Sequence, residues 1–240
     1  MNLVRTRDYE EMTGRAADMI FEQVNRKPDS VLGLATGSTP IGVYEKLTDW
    51  CQEGTLDFSK VRTVNLDEYA GFSKEHPQSY CRFMHEHLFD HISIDPENVH
   101  IPDGLAEEDV ECARYDRLIQ SLGGIDLQLL GLGHDGHIGF NEPADAFPLG
   151  THRVALSART IQANKRFFED ESQVPRFAYT MGIRDIFQAK RVLMIVSGRD
   201  KAEILKEALQ GPVTPRVPAS ILQFHKDFTL IADEEALSAF

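Results

Sequence analysis

The sequence predicts an α/β fold: one doubly wound, mainly parallel sheet with helices on both faces, in a single domain of 240 residues. Short apolar runs bounded by turn residues alternate with segments whose apolar residues recur at helical spacing. No low-complexity tract, internal repeat or long block of charge marks a linker between domains. Because strand and helix alternate in this way, a Rossmann-like parallel sheet is the expected architecture.

The elements follow one another along the chain. A first helix is predicted over residues 9–24, where the residues at helical spacing are Tyr9, Met12, Ala16, Ile20 and Val24. The run at residues 31–35 predicts a buried strand, and a helix follows from Pro40 with Thr39 as its N-cap. By the same criteria we expect strands at residues 61–66, 125–130, 191–197 and 228–232, and helices at residues 79–92, 106–122 and 200–209.

The charge balance excludes one class of partner. The chain has 25 Lys and Arg residues against 38 Asp and Glu residues, a formal net charge of −13. Such a field repels phosphate backbones, so we expect no nucleic-acid partner and no binding to anionic membranes. An anionic small molecule could bind only where positive charge is concentrated locally.

The three cysteines, Cys51, Cys81 and Cys112, form an odd set with irregular spacing and no C-x-x-C pair. This pattern does not indicate a disulfide framework or a zinc site, and we expect reduced thiols. The N-terminus becomes charged before a signal-peptide core could form, and no apolar run is long enough to span a bilayer. A cytoplasmic location is therefore expected.

The first informative segment is the turn of Thr36, Gly37, Ser38 and Thr39, which follows a predicted strand and opens a helix. In open parallel sheets, ligands bind outside the carboxyl ends of the strands. Backbone N–H groups and hydroxyls at such a turn can bind a phosphate. An ordinary N-capped turn is the alternative.

The next strand runs into Asp67 and Glu68. Alternate strand residues point to opposite faces, so at most one of these carboxylates faces a given pocket. A carboxylate there could act as a general base if burial raises its pKa toward neutrality. The alternative is that both are solvated or cap the following segment.

The third segment, residues 131–143, contains four glycines and the polar residues His134, Asp135, His137 and Glu142. These residue types suit either a metal site or a histidine oriented by carboxylates for proton transfer. We favour proton transfer and expect no metal, because no second cluster supplies the missing ligands. The candidate positive charges are Arg166, in residues 164–168, and Lys201, in residues 197–202.

Together, residues 34–40, 65–69, 76–80 and 131–143 resemble the glucosamine-6-phosphate deaminase family, in the same order and over nearly the whole chain. The run at residues 135–143, Asp-Gly-His-Ile-Gly-Phe-Asn-Glu-Pro, is the most specific part. The resemblance implies an isomerisation without a cofactor, coupled to loss of ammonia, that converts glucosamine 6-phosphate to fructose 6-phosphate.

The resemblance also implies roles for particular residues. His137 would move a proton from the C1 hydroxyl to the ring oxygen, oriented by Asp135 and Glu142, and Asp67 would carry the C2 proton to C1. The phosphate-binding positions are Thr36, Gly37, Ser38, Thr39, Arg166 and Lys201. Residues 143–168 resemble the family's mobile lid.

The sequence departs from the regulated members of this family in two respects. It lacks their C-terminal extension, and at least one basic residue is missing around residues 152–155. We therefore expect a monomer or a small homo-oligomer rather than a hexamer, with no activation by N-acetylglucosamine 6-phosphate. The alternatives are a 6-phosphogluconolactonase, which shares the Asp-Gly-His loop without Asn-Glu-Pro, and a non-catalytic phosphosugar sensor.

Overall fold

A computed structural model of the chain describes residues 1–162, 164–166, 168–170 and 172–240 in full, and residues 163, 167 and 171 without their side chains. The strands are β1 (Asn2–Thr6), β2 (Val31–Leu34), β3 (Arg62–Asn65), β4 (Asp67–Tyr69), β5 (Val99–His100), β6 (Leu127–Leu130), β7 (His152–Ala155), β8 (Phe177–Thr180), β9 (Arg191–Val196) and β10 (Phe228–Asp233). The helices are α1 (Tyr9–Arg26), α2 (Ile41–Gln52), α3 (Tyr80–His87), α4 (Glu108–Ser121), α5 (Ala158–Asn164), α6 (Ile183–Gln188) and α7 (Ala202–Gln210).

Seven of the strands form one sheet in the order β1-β10-β9-β6-β2-β3-β5, and every neighbouring pair is parallel. Side chains alternate between its two faces, as the pleat requires. In β2, Val31 packs on the face covered by α4, α6 and α7, whereas Leu32 packs on the face covered by α1, α2 and α3. The predicted doubly wound α/β fold is confirmed.

The chain order of the strands places a crevice at the centre of this sheet. From β2 the chain moves outward to β3 and β5, then returns to β6 on the other side of β2 and moves outward again to β9 and β10. The segments that leave β2 and β6 therefore diverge. This is the topological switch point at which open α/β sheets bind ligands.

A second, three-stranded antiparallel sheet has the order β4-β8-β7. The sequence did not predict it. Strand β4 has three residues, and β7 is half-buried to exposed, so neither presents an apolar run. Because β4 begins at Asp67, two residues after the end of β3, this small sheet lies at the carboxyl-terminal edge of the main one.

Most predicted elements are found within a few residues of their expected bounds. The prediction that Thr39 is the N-cap of the second helix was wrong: Pro40 occupies that position, and no side chain caps the helix. The expected helix over residues 79–92 ends at His87, and a 3₁₀ turn, Phe89–His91, follows it. Within the described residues, no helix combines the length and the apolar character that a bilayer crossing requires.

Candidate active site

A cavity of about 350 Å³ opens at the switch point, beside the carboxyl ends of β2, β3, β6 and β9. Nine of the ten predicted site residues line it: Thr36, Gly37, Ser38, Thr39, Asp67, Asp135, His137, Arg166 and Lys201. The tenth, Glu142, lies behind His137. The structure therefore brings together segments that are up to 165 residues apart in the chain.

The turn after β2 offers backbone donors to this cavity. Gly37 has a φ of +96°, a conformation that favours glycine. In the part of the chain that the structure describes, the amides of Gly37, Ser38 and Thr39 donate to no other backbone group. Tyr9 holds the turn from outside, because its hydroxyl is 3.2 Å from the Ser38 carbonyl and 3.1 Å from the Thr39 carbonyl. With the carbonyls held in this way, the amides can bind an anion.

Positive charge is also concentrated in this cavity, where Arg159, Arg166 and Lys201 line the wall. The Arg166 guanidinium reaches 3.4 Å from the Ser38 hydroxyl. Lys201 donates a hydrogen bond of 2.9 Å to the Leu132 carbonyl. Burial lowers the pKa of Lys201 to about 8; the Asp200 and Asp135 carboxylates oppose this fall, and Arg159 and Arg166 add to it. In a protein of charge −13, this corner can attract an anion.

Asp67 lies on the cavity wall at the start of β4, and its side chain is buried. Among the described residues, none donates a hydrogen bond to its carboxylate. Burial raises the pKa of Asp67 to about 8, the Glu68 carboxylate adds to this rise, and His137 opposes it. A carboxyl group with this pKa can take and return a proton near neutral pH.

Glu68 points away from the cavity, as the alternation of a strand requires. Its carboxylate accepts the backbone N–H groups of Tyr69 at 2.8 Å, Tyr80 at 2.9 Å and Cys81 at 2.8 Å. Burial raises the pKa of Glu68 to about 7, although these hydrogen bonds oppose the rise. Glu68 thus connects β4 to the start of α3 through hydrogen bonds. The prediction that at most one of the two carboxylates faces a given pocket is confirmed.

The loop after β6 holds an imidazole between two carboxylates. His137 Nδ1 lies 2.7 Å from Asp135 Oδ1 and 3.5 Å from Glu142 Oε2. Burial acts to lower the pKa of His137, but the two carboxylates outweigh it and raise the pKa to about 9. Burial acts in the opposite sense on Asp135, yet the imidazole holds the pKa of that carboxyl well below its ordinary value. This arrangement fixes the ring and stabilises its protonated form.

The glycines and Asn141 explain how this loop keeps its shape. A Cβ atom on Gly133 would overlap the imidazole ring of His137, so the ring packs directly on backbone. Gly136 and Gly139 have φ values of +84° and +56°. The Asn141 amide donates at 2.8 Å to the carbonyls of Ile138 and Met181, which fastens the loop to the residue after β8.

The same three side chains are the group, among the described residues, whose atoms could hold a metal ion. The ligand atoms of Asp135, His137 and Glu142 all lie within 4.8 Å of one another. The imidazole, however, already has a carboxylate 2.7 Å from Nδ1, which matches a proton-transfer pair. The absence of a metal requirement stays a prediction.

Several residues of the site carried no signal in the sequence. Helical spacing predicted Tyr9 on the first helix, but nothing in the sequence indicates that its hydroxyl bonds the turn of residues 36–39. The helix α5 was not predicted, and Arg159, Thr160 and Asn164 on it line the cavity. Only the tertiary fold brings these side chains to the site.

Comparisons with known proteins agree with the motifs. The model of the family of glucosamine-6-phosphate isomerases and 6-phosphogluconolactonases matches residues 7–231. A glucosamine-6-phosphate deaminase of Lachnoclostridium phytofermentans is 57% identical over 232 residues, 96% of this chain and 98% of that protein. Another, from a Thermoanaerobacter species, is 51% identical over 239 residues, 99% of this chain and 94% of that one.

Solved structures give the same result. A monomeric glucosamine-6-phosphate deaminase superimposes with a TM-score of 0.97 at 45% identity, and the match covers 100% of both chains. The 6-phosphogluconolactonase of Thermotoga maritima has a TM-score of 0.75 at 23% identity, covering 97% of this chain and 99% of that one, and shares the fold. The resemblance to the deaminases is confirmed. The family model and these full-length relatives together show that the chain belongs to the glucosamine-6-phosphate isomerase/6-phosphogluconolactonase family.

Proposed function

We propose that this protein converts glucosamine 6-phosphate and water to fructose 6-phosphate and ammonia. The observation that carries the proposal is the meeting, in one cavity, of an anion-binding turn, a buried carboxyl group and an imidazole held by two carboxylates. The relatives at 57% and 51% identity are named for this reaction, which supports the same assignment here.

The phosphate of the substrate fits the corner formed by the amides of residues 37–39, Arg166 and Lys201. These groups hold the end of the sugar that does not react, so C1 and C2 lie against the catalytic groups without further loss of freedom. A bound phosphate dianion also favours the charged form of Lys201, whose pKa burial lowers to about 8.

His137 suits the opening of the sugar ring. A proton must leave the C1 hydroxyl and another must reach the ring oxygen, and one imidazole can perform both transfers. The carboxylates of Asp135 and Glu142 keep His137 in the imidazolium form, which donates a proton to the ring oxygen, and the imidazole that results takes the proton of the C1 hydroxyl. No metal or cofactor takes part in this scheme.

Asp67 suits the step that follows. As a carboxylate it takes the C2 proton of the open-chain aldehyde while O1 takes a proton from the His137 imidazolium, which gives an enolamine. Asp67 then returns its proton to C1, which gives a protonated imine at C2. Water then adds to the imine and ammonia leaves, so the overall reaction consumes one water. The burial that raises the pKa of Asp67 to about 8 makes it a stronger base than an exposed aspartate.

The segment predicted as a lid, residues 143–168, supplies one wall of the cavity through Arg159, Thr160, Asn164 and Arg166. We propose that it closes over bound substrate and excludes water from the enolamine. Closure can be followed as protection of residues 143–168 from hydrogen exchange when substrate or product is added.

A monomer is the proposed state in solution. The solved deaminase that matches this chain over its whole length is described as monomeric. Light scattering coupled to size-exclusion chromatography should give a mass near 27.1 kDa, and a mass of a hexamer would contradict the proposal.

The proposed location is the cytoplasm. Cys51, Cys81 and Cys112 are free thiols, which suits a reducing compartment. Cell fractionation with an antibody to the protein tests the location.

The direct test of the reaction is a product assay. The purified protein is incubated with glucosamine 6-phosphate, and fructose 6-phosphate and ammonia are measured by separate coupled assays. We expect equal amounts of the two products. Hydrolysis of 6-phosphogluconolactone without either product would favour the lactonase alternative instead, and binding without turnover would favour the sensor.

A further inference from the structure

The start of helix α5 donates two hydrogen bonds to the carboxylate of Glu142. Glu142 Oε1 accepts a hydrogen bond of 2.6 Å from the Thr160 hydroxyl and one of 3.2 Å from the Ser157 amide. Thr160 is 5% exposed, so its hydroxyl is withdrawn from solvent. The Ser157 and Thr160 hydroxyls are also 2.9 Å apart. One oxygen of Glu142 therefore accepts two hydrogen bonds from the start of α5.

The other oxygen of Glu142 is the one that faces the imidazole. Oε2 lies 3.5 Å from His137 Nδ1, and both atoms are buried. Among the described residues, neither atom has an aligned hydrogen-bond partner, although Asp135 Oδ1 is 2.7 Å from Nδ1. A small rotation of the Glu142 carboxylate therefore decides whether Oε2 accepts a hydrogen bond from His137 Nδ1. The two hydrogen bonds that Oε1 accepts fix that rotation.

The same short helix extends to the substrate side of the cavity. Asn164, at its end, donates a hydrogen bond of 2.9 Å to the hydroxyl of Tyr69, which lies two residues after Asp67 in β4. The 3₁₀ turn that follows carries Arg166, whose guanidinium lies 3.4 Å from the Ser38 hydroxyl of the phosphate turn. Seven residues thus connect the phosphate corner with the carboxylate behind His137.

We propose that Thr160 is a positioning residue whose hydroxyl orients Glu142 toward His137, so that α5 couples phosphate binding to opening of the sugar ring. This proposal rests on the proposed deaminase function. Without the hydroxyl, Oε1 keeps only the Ser157 amide, and the carboxylate turns away from the imidazole. Ring opening then loses an aligned acid–base group, while Asp67 and the phosphate corner are unchanged.

The test compares two substitutions at one position. Thr160→Val keeps the shape of the side chain and removes the hydroxyl, and Thr160→Ser keeps the hydroxyl. Thr6→Val is the matched control, because Thr6 is 3% exposed, its hydroxyl has no partner among the described residues, and it lies on β1 at the edge of the sheet. We expect Thr160→Val to lower kcat about 10- to 100-fold, the range for a misplaced catalytic group. Thr160→Ser should recover most of the loss, and Thr6→Val should match the wild type.

Binding is measured separately with the acyclic alcohol obtained by reducing glucosamine 6-phosphate. This probe carries the phosphate and needs no ring opening, so its Kd should change by less than about twofold in Thr160→Val. An equal loss of probe binding and of kcat would mean that Thr160 merely supports the fold of the lid. An equal loss of kcat in Thr160→Val and Thr160→Ser would mean that the packing of the side chain, and not its hydroxyl, matters.

A third readout does not depend on turnover. The carboxylates that face His137 are Asp135, Glu142 and Asp67. If Thr160→Val turns Glu142 away, the His137 imidazole should titrate at lower pH than in the wild type when followed by NMR. An unchanged titration overturns the proposal whether or not the enzyme is active. An inactive wild type with a shifted titration would instead refute the deaminase assignment and leave the role of Thr160 standing.

Discussion

Replacing Asp67 with asparagine should make the protein more stable and nearly inactive. Asparagine keeps the size of the side chain but cannot take a proton, so kcat should fall by about 10²- to 10⁴-fold, the usual loss of a general base. Stability should change in the opposite direction. The carboxyl group is buried without a hydrogen-bond donor among the described residues, and burial raises its pKa to about 8.

The size of the stability gain follows from the shifted pKa. In the unfolded chain an aspartate ionises near pH 3.9, so between that pH and about 8 the unfolded state has lost a proton that the folded state keeps. Wild-type stability therefore falls as pH rises, by about 1.4 kcal/mol per pH unit from this group. Between pH 4 and pH 7 this carboxyl group lowers the free energy of unfolding by roughly 4 kcal/mol in total. This value is an upper bound because water in the cavity hydrates the carboxylate.

The assay is urea unfolding of the wild type and Asp67→Asn at several pH values between 5 and 7. The matched control is Asp126→Asn, because Asp126 is equally buried but paired with Lys27 at 2.6 Å and Lys190 at 2.7 Å. Burial acts to raise the pKa of Asp126, yet these partners lower it, so its stabilisation is present at neutral pH and lost in acid. Asp126→Asn should therefore destabilise at pH 7. A gain in Asp67→Asn that does not grow with pH would refute the reasoning about Asp67.

Three further predictions concern the site. Gly133→Ala should displace the His137 ring, because the added methyl group overlaps the imidazole, and should lower kcat at least about 100-fold. The circular dichroism spectrum should not change. A wild-type kcat in this variant would mean that the loop adapts to the methyl group. Lys201→Ala should raise KM for glucosamine 6-phosphate far more than for unphosphorylated glucosamine, and an equal loss for both would remove Lys201 from the phosphate site. In the wild type, kcat/KM should rise as Asp67 ionises near pH 8 and fall as His137 loses its proton near pH 9, so a flat profile across this range contradicts both assignments.

The main sheet and the strand-end loops could be predicted because each rests on local pattern. The buried strands are short apolar runs between turn residues. Three of them lead into the segments that contain Thr36–Thr39, Asp67 and His137. Since parallel strands place their carboxyl ends at one edge, the meeting of these segments followed from the fold class.

The remaining parts of the site depend on contacts that no local pattern encodes. Tyr9 sits on a helix face with apolar spacing, and only the approach of α1 to the turn after β2 gives its hydroxyl a partner. Thr160 contacts Glu142, which lies 18 residues earlier in the chain, and the residues between them form an irregular loop and a strand that is mostly half-buried. The antiparallel strands β4 and β7 are too short and too polar for periodicity to reveal them.

The role of Asp67 is tested most directly by following deuterium placed at C2 of glucosamine 6-phosphate through a single turnover. We expect the labelled substrate to react more slowly than the unlabelled one, because Asp67 breaks the C2–deuterium bond. We also expect part of the deuterium to appear at C1 of fructose 6-phosphate and the rest in water, since one carboxylate carries it between the two carbons. Release of ammonia while the deuterium stays at C2 would contradict this role.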